Sequence, residues 1–360
     1  MDQTRQPRYV DSLTSDAKIV RKPKVGLRDE LGSRSGYRLE DGIDLRTGQR
    51  GKGSCVYFQM FSSGGISSMA KRGWRSQDTG SSGLHGKVAV VTGASRGIGE
   101  AIAAALAAEG CRLVLAARST ELLQEVAEAL RSRHGVEVLV VPTDMGDESQ
   151  SRALISAAAD HFGTVDILVN NAGMGIFGAI DELYLDDLRH VFAVNFFGPL
   201  AALQAAVPVM RRNGGGTIVN VSSIVGKFPQ PLGGGYTATK FALQGASGAA
   251  RAELKEDNID VILVCPGLTD TEFSQHSRIS VPGAEHRQGE RHSLGRGVEP
   301  GRVGSRTVQA IVRGEREVYV TLFDRALVWF AVHFPALLQW VLVYITRYRR
   351  RRFEEVDPSK

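Results

Sequence analysis

From residue 87 onward the chain alternates between two kinds of segment. Short, β-branched apolar runs recur at 87–92, 112–116, 137–141, 166–170, 217–221, 260–265 and 317–321. Between them lie longer stretches rich in Ala and Leu, and 98–109 and 121–131 carry their apolar residues at helical spacing. Strands that are apolar almost throughout must be buried on both faces. The pattern therefore predicts a doubly wound α/β domain over 84–321, a parallel sheet of about seven strands with helices on both faces and right-handed crossovers.

Three segments depart from that rhythm. Residues 1–83 have no sustained apolar period and are rich in Gly, Ser, Arg and Asp. Such a composition buries too little apolar surface to offset its ordering entropy, so a disordered extension is expected. A chain start near Met69, a few residues before the first strand, is the alternative. Residues 270–300 are polar and aperiodic and follow a strand on the ligand side of the sheet, where a loop of this length reads as a substrate lid. Residues 322–360 form an apolar segment with a basic tail. Within it, 326–346 runs for 21 residues without a formal charge, ahead of Arg347 and Arg349–Arg352. Its length as one helix, roughly 30 Å, would cross a hydrocarbon core. Trp329, Trp340, Tyr344 and Tyr348 could serve as interfacial rings, while His333, Gln339 and above all Pro335 interrupt the stretch. A span, a surface-lying pair of helices and a pair packed on the domain all remain open.

Composition narrows the function. The formal net charge of +5 is uneven: residues 1–85 carry +6 and 347–360 carry +3, leaving 86–346 at −4. An acidic core does not suit nucleic acid, and none is expected as a partner. Cys55, Cys111 and Cys265 are far apart and lack metal-ligand spacing, so neither a disulfide framework nor a metal site is expected. With no apolar secretory segment in the first 50 residues, a cytoplasmic protein is expected, with possible attachment to the cytoplasmic face of a membrane.

Two motifs carry chemistry. The first strand leads into Gly93, Ala94, Ser95, Arg96, Gly97, Ile98 and Gly99, where a helix opens. Glycines there let the backbone approach a pyrophosphate, and the helix N-terminus offers it unpaired N–H groups and a positive dipole. The second strand ends without a carboxylate and is followed by Arg118. Together with Arg96, that guanidinium suits a ribose 2′-phosphate, which favours NADP(H) over NAD(H). Further along, Tyr236 and Lys240 stand at i and i+4 on one helix face. A phenol near pKa 10 exchanges protons poorly at neutral pH, and an adjacent ammonium favours its ionised form.

This set of motifs resembles the short-chain dehydrogenase/reductase family over about 87–321. Its marks are the TGxxxGxG loop at Thr92–Gly99, Asn170-Asn171-Ala172-Gly173, Asn195 in a VNxxG segment, the run from Val219 to Gly226, the YxxxK pair and Pro266-Gly267. The resemblance implies a Rossmann-like fold and an enzyme interconverting an alcohol and a ketone or aldehyde. In it Tyr236 is the general acid/base, Lys240 lowers its pKa and holds the nicotinamide ribose, and Asn195 anchors a water leading from Lys240 to solvent. A serine would bond the substrate oxygen; the family's separation from the tyrosine selects Ser223, with Ser222 the alternative. Asp144 would meet the adenine, Asn171, Ala172 and Gly173 the adenosine side, and Pro266, Gly267 and Thr271 the carboxamide. Ile176, Phe177, Phe228 and Leu232 point to an apolar pocket and a lipophilic small-molecule substrate. The resemblance also implies a homo-oligomer through the helices bearing Asn195 and Tyr236. A catalytically idle nucleotide-binding scaffold and an epimerase or dehydratase on the same fold are the other readings.

Overall fold

The strands and helices alternate along the chain as their apolar pattern requires. A computed structural model describes residues 82–275, 277–280 and 297–356. The strands are β1 (Val88–Thr92), β2 (Arg112–Ala117), β3 (Val138–Pro142), β4 (Ile167–Asn170), β5 (Ile176–Phe177), β6 (Gly216–Val221), β7 (Ile259–Cys265), β8 (Arg278–Ile279) and β9 (Glu317–Tyr319). The helices are α1 (Gly97–Ala108), α2 (Thr120–His134), α3 (Glu148–Phe162), α4 (Leu185–Phe192), α5 (Gly198–Arg212), α6 (Gly234–Glu253), α7 (Pro300–Arg313), α8 (Leu322–His333) and α9 (Pro335–Val356). Seven strands form one parallel sheet in the order β3-β2-β1-β4-β6-β7-β9. The expected doubly wound α/β fold is the fold observed.

Burial on both faces explains the composition of the strands. In β1, Ala89 and Val91 pack with Ile102 and Leu106 of α1, while Val88 and Val90 pack on the other face with Leu154 of α3 and Met210 of α5. Strand order reverses between β1 and β4, so the loops leaving their C-terminal ends diverge and open a crevice there.

The expected element limits shift by one to three residues, each for a local reason. Helix α2 runs on to His134 and stops at Gly135, whose φ of 66° ends it in the left-handed region. Strand β9 ends at Tyr319 because Thr321 turns into the N-cap of α8. Its hydroxyl accepts from Asp324 N at 3.0 Å, and the Asp324 carboxylate accepts from Thr321 N at 3.2 Å. The uncharged segment 326–346 is not one straight helix. It breaks at Phe334, before Pro335, and α8 and the following part of α9 meet at 106°.

The short parallel pair β5–β8, in register Ile176↔Arg278, has no counterpart in the sequence reading. Two residues per strand are too few for periodicity to register. This pair and a bridge between Thr269 and Val298 tie down both ends of the 270–300 stretch. The expected lid itself falls largely on residue 276 and residues 281–296, outside the described residues. So does nearly all of the 1–83 extension. Contacts divide the chain after Ser67, and every described residue belongs to the second unit, Ser68–Lys360.

Candidate active site

The turn after β1 is shaped by glycine at two points. Gly93 adopts φ 64°, and a Cβ there would lie 2.8 Å from Ala172 Cα. At Gly99 a Cβ would fall 2.1 Å from Gly93 O and 2.4 Å from Asn171 Nδ2. The Asn171 side chain occupies that space, donating to Thr92 O at 2.9 Å and Gly93 O at 3.2 Å. Thr92 completes the brace, its hydroxyl accepting from Asn171 N at 3.0 Å and Ala172 N at 3.1 Å. Asn171 and Ala172 therefore lock the end of β4 to the turn after β1. No side chain caps α1 at Arg96, so its first N–H groups face the crevice beside half-buried Ser95 and Ile98. A pyrophosphate fits such a turn, which offers close backbone approach and a positive helix end.

Around this turn the other expected contacts are arranged unevenly. Thr271 reaches Gly97, where a Cβ would meet its Cγ2 at 3.2 Å. Arg118 is exposed at the tip of β2 and makes no ion pair among the described residues. Arg96 pairs with Glu272 at 3.1 Å, both side chains well exposed. A pair that wet contributes at most about 1 kcal/mol. Asp144 accepts from Gly146 N at 2.8 Å, fixing the turn after β3.

The catalytic candidates come from the turn after α4, the residues that follow β6, and α6. Between α4 and α5 the residues Ala193–Phe197 form a π-helical turn, a local widening frequent at functional sites. It carries Asn195, fully buried. The Asn195 carboxamide accepts from Met174 N at 2.8 Å and donates to Met174 O at 2.9 Å and Thr239 Oγ1 at 3.0 Å. Gly173 separates it from Lys240: a Cβ there would lie 3.3 Å from Asn195 Oδ1 and 3.6 Å from Lys240 Nζ. Lys240 is 4% exposed and donates to Val221 O at 3.0 Å. Burial disfavours its charged form and lowers its pKa to about 8. Its ammonium lies 5.6 Å from the centre of the half-buried Tyr236 ring, and the Phe273 ring lies 5.5 Å from the same ring.

The two serines have different surroundings. Ser222 is buried, its hydroxyl accepting from Gln244 Nε2 at 3.0 Å and facing Lys240 O at 3.5 Å. Ser223 is half-buried and donates a long bond to Pro266 O at 3.4 Å. Of the pair, Ser223 is the more exposed. Ile176 is fully buried, close to Gly235 near Leu183 and Leu188. Phe177, Phe228 and Leu232 are half-buried, and Leu232 has a positive φ of 61°, unusual for a bulky side chain.

Several supporting residues were not singled out in the sequence. Gln244 ties the serine segment to α6, donating to Ser222 Oγ and to Ser223 O, each at 3.0 Å. The signal was present, because Tyr236, Lys240 and Gln244 follow one another at i+4. Asp187 holds Arg278 and Ser280 and so fastens β8. Asp324 of α8 lies against Gly267, where a Cβ would meet its carboxylate oxygen at 2.1 Å. A contact this distant in sequence leaves no local signal. Cys265, beside Pro266, has its thiol pushed up to about 12, chiefly by burial, and is not a nucleophile at neutral pH. Among the described residues no three His, Cys, Asp or Glu side chains cluster as a metal site.

A doubly wound sheet with a glycine turn at its switch point and a Ser/Tyr/Lys set beside it defines a nucleotide-dependent oxidoreductase class. The chain belongs to the short-chain dehydrogenase family, whose profile matches residues 87–281, and is a dehydrogenase/reductase enzyme. It is 33% identical over 264 residues to a dehydrogenase/reductase SDR family protein 7-like of Anopheles gambiae, covering 72% of this chain and 83% of that protein. A short-chain dehydrogenase/reductase from Burkholderia phymatum, solved in complex with NAD, superposes with a TM-score of 0.65 at 30% identity, covering 71% of this chain and 96% of that one. The L-sorbose reductase from Gluconobacter frateurii, solved with NADPH and L-sorbose, superposes with a TM-score of 0.59 at 30% identity, covering 65% and 95%.

Proposed function

We propose that the protein interconverts a lipophilic alcohol and its ketone or aldehyde using NADP(H), with Tyr236 as general acid/base. The observation that carries this reading is the half-buried Tyr236 beside the buried Lys240 ammonium, next to a glycine turn that admits a pyrophosphate. Relatives of this fold solved with NAD and with NADPH support a nicotinamide dinucleotide. The residues that would hold it are Gly93, Ser95, Arg96, Gly97, Ile98 and Gly99 at the phosphates, with Asp144, Asn171, Ala172 and Gly173 on the adenosine side. Tyr236 and Lys240 would hold the nicotinamide ribose, and Pro266, Gly267 and Thr271 the carboxamide. When bound, the cofactor supplies or accepts the hydride. In the reductive direction the Tyr236 hydroxyl gives its proton to the carbonyl oxygen, and Ser223 Oγ donates a hydrogen bond to the same atom. Lys240, with a pKa of about 8, is mostly charged at neutral pH and favours the phenolate that Tyr236 leaves behind. Asn195 fixes Met174 and Thr239 around Lys240 and, on the family's pattern, a water for its proton exchange.

Exposed Arg118, with no carboxylate at the tip of β2, supports the 2′-phosphate. Exposed Phe197 and Phe241, on the helical segments that bear Asn195 and Tyr236, support a homo-oligomer through those faces. The free, buried thiols of Cys111 and Cys265 suit a reducing, cytoplasmic setting. The apolar surface of α8 and α9 supports contact with a membrane. Titration of NADPH and NADH against wild type and Arg118→Ala tests the cofactor. The expected result is a preference for NADPH, reduced at least tenfold in the variant; equal affinities in wild type would overturn it.

A further inference from the structure

The C-terminal helices carry apolar surface that nothing in the described chain covers. On α8, Phe323, Trp329 and Val332 are more than half exposed, and on α9 Trp340 and Tyr344 are 65% and 61% exposed. The rings are already ordered: Trp329 stacks on His333 at 4.7 Å and Trp340 on Tyr344 at 6.0 Å. Aromatic side chains of this kind suit the boundary between headgroups and acyl chains. Immediately beyond them α9 carries Arg347 and Arg349–Arg352, whereas residues 86–346 are net acidic. An anionic surface would attract that end of the second unit and repel the acidic 86–346 domain, which orients the domain with α9 toward the surface.

The geometry also selects how the helices meet the lipid. A span would need 326–346 straight, but the segment bends by 106° at Phe334–Pro335. Each limb is short: α8 has 12 residues, and the apolar part of α9, 335–346, is of similar length. That is about 18 Å per limb against a hydrocarbon core of about 30 Å. More decisively, the opposite face of α8 is occupied. Asp324, Val328 and Ala331 are buried, and Asp324 lies against Gly267. Helix α8 cannot cross a bilayer without leaving the turn that follows β7. The helix Leu185–Arg212 is also long and apolar enough to cross a membrane, but 44% of its apolar window is buried in the domain and it carries no comparable basic flank.

We propose that α8 and α9 form an in-plane docking surface for an anionic bilayer, and that this docking sets the Pro266-Gly267 turn at the lipid surface. Leu268, half exposed, follows that turn directly, so the apolar surface continues from α8 to the entrance of the site. An apolar substrate dissolved in the bilayer then reaches the crevice without crossing water. That route rests on the oxidoreductase reading; the docking does not.

The test uses the full chain, whose three tryptophans are Trp74, Trp329 and Trp340. Three single-tryptophan proteins retain Trp329, retain Trp340, or carry Leu268→Trp with all three native tryptophans changed to Phe. Each is mixed with phosphatidylcholine vesicles with or without phosphatidylglycerol, and emission is quenched by lipids brominated at graded depths. The expected result is binding that requires phosphatidylglycerol and weakens with salt, roughly five-fold for each Arg→Gln change among 349–352. All three reporters would be quenched at the same shallow depth. Trp329 and Trp340 separated by about 16 Å in depth would mean a span and overturn the proposal. Absence of binding, with a dimer in light scattering that Trp340→Glu splits, would make this face a subunit contact instead. Shallow quenching of Trp329 and Trp340 without quenching at position 268 would overturn the placement of the turn, and the substrate route with it. No readout depends on turnover, so an inactive enzyme would refute the proposed reaction and leave the docking result standing.

Discussion

Lys240→Met separates the chemistry of the site from its stability. The ammonium is 4% exposed and its pKa falls from 10.5 to about 8, chiefly because burial penalises its charge. Between those two values the unfolded chain holds a proton that the folded one has released, so folding stability rises with pH across this window. Below pH 8 the full penalty is present, on the order of 3 kcal/mol from about 1.4 kcal/mol per unit. Methionine removes that penalty with a side chain of similar reach. It also leaves Val221 O, which Lys240 bonds at 3.0 Å, without its donor, a loss of about 1–3 kcal/mol. The variant is therefore expected to equal wild type or exceed it by up to about 2 kcal/mol at pH 7, a rise of a few degrees in Tm. Turnover should fall roughly 10²–10⁴-fold. Urea unfolding of both proteins from pH 7 to 10.5 provides the decisive reading. Wild type should gain on the variant by about 3 kcal/mol over that range, the titration of Cys111 and Cys265 being common to both. A pH-independent difference, or a variant destabilised by several kcal/mol at pH 7, would refute a strained buried ammonium.

Gly99→Ala places a methyl 2.1 Å from Gly93 O, so the turn must move. Unfolding should show a loss of about 1–3 kcal/mol, and cofactor titration at least a tenfold weaker affinity; wild-type affinity would count against the pyrophosphate site. Gln244→Leu removes two 3.0 Å bonds to the serine segment and should lower stability by about 2 kcal/mol. It should also reduce kcat more than cofactor affinity, and an unchanged kcat would show that Ser223 does not need this brace. Asp324→Ala breaks the capping box of α8 and should lower stability by about 1 kcal/mol in thermal unfolding. If α8 seats the carboxamide turn, the KM for cofactor should rise while the pH profile of kcat stays fixed.

What the sequence disclosed and what it withheld follow from the range of the forces involved. The strands were legible because a sheet covered on both faces demands unbroken apolar runs, as in residues 88–91 and 261–265. The glycine turn was legible because its constraint is backbone crowding, which only one residue type relieves, and Tyr236 and Lys240 because i+4 spacing is a local geometry. Between Ser222 and Ser223 the local pattern was silent, and the bond that makes their surroundings differ, from Gln244 to the Ser222 hydroxyl, comes from more than twenty positions away. The bend at Pro335 shows the same limit from the other side. Composition counted 326–346 as one apolar length, and proline announced a break. Only the burial of Asp324, Val328 and Ala331 shows that the first limb is already committed to the domain. Hydropathy measures how much a segment avoids water; it does not record which face has already found a partner. In this chain the unpartnered face begins next to the turn assigned to the nicotinamide, and that adjacency makes the choice between a span and a docked helix pair a question about catalysis as well as attachment.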